Sequence, residues 1–442
     1  MQLDILKDDD ASTEVGSYFV ANYPPFSAWT ADQVPDALAV LDTPAEANSP
    51  GSSPLGLYLH IPFCRKRCKF CYYRVYTDKN SRQVDEYIQA LAAEIALYAQ
   101  KPCFDGRQFE FVYFGGGTPS YLSSAQLTRL VDLITEHWTW SSAKEVTFEC
   151  EPGTLRKGKL ETIKQIGVTR LSLGVEHFDD EVLEVNGRAH KSPEILRSYE
   201  WARQVGFDQL NIDLIAGMVG DTDAKWRDTV DKALALDPDS VTLYQMELPP
   251  NTEFSRQARQ NNGQSPVADW ATKRAWVDHA MDLFGQHGYQ VSGAYTLVKP
   301  SDRSSFIYRD ALWHGADMVG TGVSSFSFVS GVHYQNAAGW DDYVGKIQQG
   351  DLPVARGLVP TPGQLLIREL VLQLKTGGVN AGYFRQKFGR DIMATFGEAF
   401  GALRREGHCE IQGDQVSLTR KGLLRVDALL PCFFEAQHRS IC

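Results

Sequence analysis

Three cysteines, Cys64, Cys68 and Cys71, crowd into the eight-residue run Cys64-Arg-Lys-Arg-Cys68-Lys-Phe-Cys71. Three thiolates on one loop can hold three irons of a [4Fe–4S] cluster and leave the fourth iron open, whereas structural zinc sites favour four closed ligands in paired spacings. Zinc or three free thiols are the plainer readings. The trio directly follows the apolar run Leu57 to Ile61, which sets it at the carboxyl end of a strand and favours the cluster. Cys103, Cys150, Cys409, Cys432 and Cys442 are scattered and read as small buried or incidental thiols; Cys150 stands out because it adjoins Glu149.

Other chemistry-bearing residues fall at the ends of apolar runs. Gly115, Gly116 and Gly117, followed by Thr118, close the second run, where absent side chains let backbone groups approach a ligand. Glu149 ends the third run, Glu176 passes the fourth and Asp213 lies within the fifth. Carboxylates at the carboxyl ends of parallel strands face the place where ligands bind, although a structural ion pair is the commoner fate of any one of them. His60 and His314 titrate near neutrality, but a buried position beside the cysteine loop for His60 and a surface loop for His314 are the expected outcomes.

The elements that must position these groups alternate. Apolar runs at 56–61, 109–114, 145–150, 170–175, 209–215 and 240–245 are separated by amphipathic stretches at 84–99, 124–137, 155–166, 193–205 and 224–236. Alternation of this kind predicts an α/β fold with a parallel sheet, and six units fall short of a closed eight-stranded barrel. Residues 364–374, 381–388 and 394–406 have helical spacing, and Gly413-Asp414 marks a hairpin turn between 410–411 and 416–418, a small helical domain ending in a wing. At the other end, residues 1–52 form an extension carrying Tyr18, Phe19, Tyr23, Phe26 and Trp29. It is too aromatic for a solvated tail, so packing on the body is expected ahead of a lid; the stretch from Asn48 to Pro54 reads as a linker.

Composition limits the function. The 442 residues are 43% hydrophobic and 22% charged, with a net charge of -11, which excludes a disordered chain and disfavours nucleic acid as a partner. No window approaches a membrane span, and the acidic start, Met1 to Asp10, has no basic and apolar leader, so a cytoplasmic protein without membrane contact is expected.

The runs Tyr58-Leu-His60-Ile-Pro62-Phe-Cys64, Gly115-Gly116-Gly117-Thr118-Pro119-Ser120, Arg170-Leu-Ser-Leu-Gly174-Val-Glu176, Asn211-Ile-Asp213-Leu-Ile and Gly320-Thr-Gly322-Val-Ser324 span most of residues 55–335. In this order they resemble the radical S-adenosylmethionine (SAM) superfamily, and within it the HemN-like branch that includes oxygen-independent coproporphyrinogen III oxidase. The resemblance implies a partial (β/α)6 TIM-type barrel over residues 53–350, with a HemN-like, winged-helix-like domain over 351–442. It implies a [4Fe–4S] cluster on Cys64, Cys68 and Cys71, whose open iron chelates the methionine moiety of SAM. Tyr58, Phe70, Gly115, Gly116, Gly117, Thr118, Glu149, Glu176, Arg188 and Asp213 would serve the first SAM, and Tyr244 with the loop containing Phe326 a second.

The same resemblance implies reductive cleavage of SAM to a 5′-deoxyadenosyl radical acting on a small molecule, with a flavodoxin or ferredoxin as electron donor. One departure bears on the reaction. The oxidase pattern carries another cysteine two residues past the trio, and Tyr73 stands there. This tilts the expectation toward one-carbon transfer from a second SAM, by methylation or cyclopropanation of a secondary metabolite. Oxidative decarboxylation of a porphyrinogen and a haem chaperone role are the alternatives.

Overall fold

The computed structural model describes residues 12–17, 19–44, 53–301 and 305–441. The acidic start, Tyr18 and most of the expected 48–54 linker lie outside them.

Six parallel strands come first: β1 (Leu55–Ile61), β2 (Phe109–Gly116), β3 (Glu145–Cys150), β4 (Arg170–Glu176), β5 (Gln209–Ala216) and β6 (Ser240–Gln245). They pair in sequence order, because each crossover helix returns the chain to start the next strand alongside the last. β1 is buried at every residue but Tyr58, the continuous apolar pattern of a strand covered on both faces. The helices Ser81–Ala99 and Ser124–Thr135 begin at capping boxes, Asn80 with Gln83 and Ser123 with Gln126. In each, two otherwise orphaned backbone N–H groups find reciprocal partners.

Beyond β6 come β7 (Gln290–Val291), β8 (Thr296–Val298), β9 (Asp317–Thr321), β10 (Phe326–Val329), β11 (Val332–Asn336) and β12 (Val354–Leu358). β9 joins the outer side of β1 in parallel, β10 to β12 extend that edge antiparallel, and β8 then β7 extend β6. Twelve strands therefore run β12-β11-β10-β9-β1-β2-β3-β4-β5-β6-β8-β7. β6 pairs with β8 and not with β9, so the barrel stays open, the partial (β/α)6 barrel expected.

Residues 361–441 build a second hydrophobic cluster, separate from the barrel's. It combines the helices Pro362–Leu374, Ala381–Phe388 and Gly397–Arg405 with a small sheet of β13 (Gly378–Asn380), β14 (Cys409–Gln412) and β15 (Gln415–Leu418). β14 and β15 form the hairpin marked by Gly413, which has φ +59°. Val20 and Tyr23 of the N-terminal segment are buried in this second cluster, while Trp29 stacks on His333 of β11. Packing therefore accounts for most of the aromatic residues of the segment; Phe19 is the exception described below.

Candidate active site

The cysteine loop starts where β1 ends and is held from three sides. The Cys64 N–H donates to the Tyr76 carbonyl at 3.0 Å, and the Tyr76 N–H donates to Pro62 at 2.7 Å. The Lys69 N–H donates to the Asn186 carbonyl at 3.1 Å, and the Glu253 N–H to the Lys69 carbonyl at 3.0 Å. The third hold is Glu151, just past β3, whose carboxylate accepts from Arg65 Nε and Nη2 at 2.9 and 2.8 Å, from the Gly153 N–H at 3.0 Å and from His190 Nδ1 at 3.0 Å. Burial opposes ionisation of Glu151, yet the hydrogen bonds from His190 and Arg65 hold its pKa down at about 2.

Around the thiols, Thr118 Oγ1 donates to Cys64 Sγ at 3.3 Å and Arg188 Nη1 to Cys68 Sγ at 3.2 Å. Burial pushes Cys64 up to about 11 and Cys71 up to about 12, and the neighbouring Cys68 adds to both. Three such thiolates are stable together only against strong positive charge, which irons supply. Among the described residues no group of three or more His, Cys, Asp or Glu side chains is arranged around a single metal ion. A cluster takes one thiolate per iron, and Cys64, Cys68 and Cys71 offer three free thiols on one loop.

Next to the loop lies a cavity of about 270 Å³ whose wall includes Cys71, Gly117, Thr118, Glu149, Glu176, Arg188 and Asp213. Glu149 accepts from the Tyr113 hydroxyl at 2.7 Å and from the Gly116 N–H at 3.2 Å. Asp213 accepts from Ser172 Oγ at 3.0 Å and from Asn211 Nδ2 at 2.9 Å. Arg188 donates to the Gly174 carbonyl at 2.7 Å and lies 3.4 Å from Glu176. Glu176 itself adopts φ +64°, where an L side chain is strained, at the point where β4 slips register against β5.

Burial raises Glu149 and Glu176 to about 7 and raises Asp213, and the charge of Asp213 adds to the rise of the two glutamates. Three carboxylates facing one arginine in a low-dielectric cavity make a site for a cation carrying hydrogen-bond donors. SAM carries a sulfonium charge together with a donating ammonium and ribose hydroxyls, so these residues fit the cofactor. The remaining wall is aromatic: Phe70, Tyr72, Tyr73, Tyr244 and Phe19. Tyr72 and Tyr73 stack at 4.4 Å, and Tyr73 and Tyr244 keep 45% and 37% of their surface open.

The structure thus gathers Cys71, Phe70, Gly117, Thr118, Glu149, Glu176, Arg188, Asp213 and Tyr244 in one wall, with Cys64 and Cys68 directly behind it. Tyr58, Gly115 and Gly116 lie one layer deeper. A Cβ on Gly115 would come 3.0 Å from the Tyr58 ring, and one on Gly116 2.7 Å from His60. Phe326 is not brought to the site, a correction to the expectation: it begins β10 and stacks on Phe26 at 4.2 Å, held there by the N-terminal segment. His60 is buried behind the loop with its pKa lowered to about 4 by desolvation, and His314 is exposed, as expected of both. Sequence reading missed Tyr72, Gln245, Met246, Glu247 and Phe19 as wall residues and Glu151 as the clamp. Of these Glu151 and Glu247 carried a signal, a carboxylate just past β3 and just past β6.

Comparison with known proteins agrees with this geometry. Residues 58–233 match the model of the Radical SAM superfamily, and residues 361–425 match that of the HemN C-terminal domain. The heme chaperone HemW of Bacillus subtilis (strain 168) is 30% identical over 370 residues, covering 83% of this chain and 96% of that protein. The oxygen-independent coproporphyrinogen III oxidase of Escherichia coli (strain K12) is 27% identical over 399 residues, covering 86% of this chain and 85% of the oxidase. A solved structure of coproporphyrinogen III oxidase (HemN) from Escherichia coli superposes with a TM-score of 0.80 at 26% identity, over 94% of this chain and 96% of that one. The chain belongs to the radical SAM superfamily. Within it, the chain is of the HemN-like branch, with both the barrel and the C-terminal domain of that branch.

Proposed function

We propose that the protein is a SAM-cleaving radical enzyme that removes a hydrogen atom from a small molecule held against Tyr73 and Tyr244. The observation that carries the reading is the joining of two sites in one wall: the cysteine loop, and the carboxylates Glu149, Glu176 and Asp213 with Arg188. Cys64, Cys68 and Cys71 would hold a [4Fe–4S] cluster, which when bound would supply the electron for reductive cleavage of SAM seated beside it. The chain's own residues do the rest. Glu151 fixes the loop through Arg65, the Gly116 N–H and Tyr113 aim the Glu149 carboxylate, and Arg188 joins the Cys68 thiol to the backbone of β4. Tyr73 and Tyr244 are 45% and 37% open, so a substrate seated against them would complete the exclusion of water that a reactive radical requires.

Among the reactions open to such a site, oxidative hydrogen abstraction of the coproporphyrinogen oxidase type is supported by the whole-chain likeness to that enzyme. A second reading, one-carbon transfer from the methyl of a second SAM, is favoured by Tyr73, a stacked phenol where the oxidase pattern carries a cysteine. Anaerobic turnover with dithionite and methyl-deuterated SAM separates the readings through the mass of 5′-deoxyadenosine. Unlabelled product together with consumption of a porphyrinogen supports the oxidase type, and deuterated product supports one-carbon transfer. No 5′-deoxyadenosine, with haem bound instead, overturns the enzyme reading in favour of a carrier like the chaperone relative.

A further inference from the structure

Where β6 ends, the cavity wall carries two acceptors that the cofactor reading does not use. Gln245 closes the strand and Glu247 follows two residues on. The Met246 N–H between them still donates to the Ala216 carbonyl of β5 at 2.9 Å, so the chain stays extended and both residues line the cavity. Gln245 Nε2 donates to the Leu424 carbonyl at 3.0 Å. A carbonyl can only accept, so this bond fixes the orientation of the amide and turns its Oε1 away from Leu424. Glu247 accepts from the Ser17 hydroxyl and is attracted by Lys273 and Lys375, yet burial raises its pKa, so its charged form gains from a further cation.

Gln245 Oε1 and Glu247 Oε2 are buried, and among the described residues neither receives a hydrogen bond. Buried acceptors without donors are costly, and a fold retains them where something else offsets the cost. Glu94, buried elsewhere, shows the usual outcome: one oxygen accepts from Asn336 at 2.6 Å, the other from the Gly322 N–H and the Tyr343 hydroxyl at 2.7 and 2.6 Å. Glu247 Oε2 is the one buried carboxylate oxygen left without a donor among the described residues, and it belongs to the cavity wall. The cofactor does not account for it. Glu149, Glu176 and Asp213 already answer the charge of SAM, and Phe326, expected beside a second SAM, is held outside the cavity by Phe26.

We propose that Gln245 and Glu247 form a substrate subsite that receives a protonated amine carried on a flat apolar frame, with the frame lying on Tyr73 and Tyr244. The inference rests on the SAM-cleaving reading above and adds to it the class of the substrate. Both rings are backed from behind, Tyr73 by Tyr72 at 4.4 Å and Tyr244 by Tyr295 at 6.0 Å, so they offer fixed faces to a planar group. An ammonium brings the donors that the two acceptors lack. A substrate carboxylate meets Glu149, Glu176, Asp213 and Glu247, while Arg188, the one cation among the described wall residues, is already bonded to Cys68 and the Gly174 carbonyl. Discrimination of this kind is strong because the wrong substrate leaves buried polar groups unpaired.

The test is calorimetric titration of the anaerobically reconstituted protein at saturating SAM and without reductant, so that the cofactor site is filled and nothing turns over. The probes are tryptamine, tryptophol and indole-3-propionate, one ring system carrying a positive, a neutral and a negative group. The proposal expects wild type to bind tryptamine at least about tenfold more tightly than either analogue. Glu247→Gln keeps the size of the side chain and an acceptor for Ser17, and should weaken tryptamine at least about tenfold while tryptophol stays within about threefold. Gln245→Met should weaken tryptamine about threefold or more, and it decides the matter if Glu247→Gln fails to fold. No binding of tryptamine, equal binding of the three probes, a preference for indole-3-propionate, or unchanged tryptamine affinity in the folded variants overturns the proposal. Loss of SAM in Glu247→Gln in step with loss of tryptamine would assign the residue to the cofactor and overturn it too. Wild type that binds no SAM would instead overturn the SAM-cleaving reading, so the two failures are distinguishable.

Discussion

Replacement of Glu149 by Gln gives the sharpest check on the cavity electrostatics. Burial holds the Glu149 carboxyl at about 7 in the folded protein, against roughly 4.3 in an unfolded chain. A folded-state pKa above the unfolded value means that the penalty of the buried charge is absent below about pH 4 and fully present above pH 7, so the ligand-free protein loses stability as pH rises between them. The shift corresponds to about 4 kcal/mol. Glu149→Gln keeps an acceptor for Tyr113 or Gly116 and removes the titration, so it should raise Tm at pH 8 by several degrees and leave pH 5 nearly unchanged.

Ligand binding should change in the opposite sense. If the charged form holds the cationic cofactor, SAM affinity in wild type rises about tenfold between pH 6 and pH 8 on account of Glu149 alone. Titration of SAM itself is common to both proteins and cancels in the comparison, so Glu149→Gln should flatten the profile by about that tenfold. Calorimetric titration of SAM at pH 6, 7 and 8 reads it directly. An unchanged pH profile in the variant, or a variant less stable at pH 8 than at pH 5 by the wild-type margin, would refute the reasoning.

Three further outcomes follow from the same geometry. Cys68→Ala should lose bound iron and all 5′-deoxyadenosine formation while Tm stays within a few degrees, measured by iron content and anaerobic turnover. Glu151→Ala removes the acceptor of Arg65, His190 and Gly153 and should cost about 2 kcal/mol at pH 7, the low end for a broken pair because Arg65 is 37% exposed. In wild type that contribution is complete above roughly pH 4.3 and fades as pH falls toward about 2, readable by denaturant unfolding against pH. Gly117→Ala would set a Cβ within 2.9–3.0 Å of backbone atoms of Ile61, Pro62 and Phe63, costing about 2 kcal/mol and weakening SAM binding, measured by thermal unfolding and calorimetry.

Much of this architecture is written in local patterns. The six parallel strands are continuous apolar runs followed by amphipathic helices, and the cysteine trio, the glycine run and the strand-end carboxylates sit at the boundaries between them. β9 to β12 were harder to read, because Asp317–Thr321 and its neighbours are short and interrupted by Gly320 and Gly322, and gain their order only by pairing with a β1 distant in sequence. The aromatic wall was harder still. Tyr72 and Tyr73 look like ordinary loop residues until the fold sets them in one wall with Tyr244, and Phe19 reaches the cavity because the N-terminal segment is tied down at Ser17 and at Val20. There Ser17 Oγ accepts from the Leu248 N–H at 3.0 Å and the Val20 N–H donates to Asp427 at 2.7 Å. Phe326 failed for the converse reason. Its neighbourhood matched by resemblance, while its side chain was claimed by Phe26 and Trp29 of the same segment.

The central claim is that Cys64, Cys68 and Cys71 carry a cluster whose open iron meets SAM in the carboxylate-lined cavity. The measurement that bears on it most directly is electron paramagnetic resonance of the anaerobically reconstituted, dithionite-reduced protein, recorded with and without SAM. The account predicts a reduced [4Fe–4S] signal that shifts on adding SAM and is absent from Cys68→Ala. A reduced cluster whose spectrum ignores saturating SAM, or protein that takes up zinc and no iron under reconstitution, would contradict it.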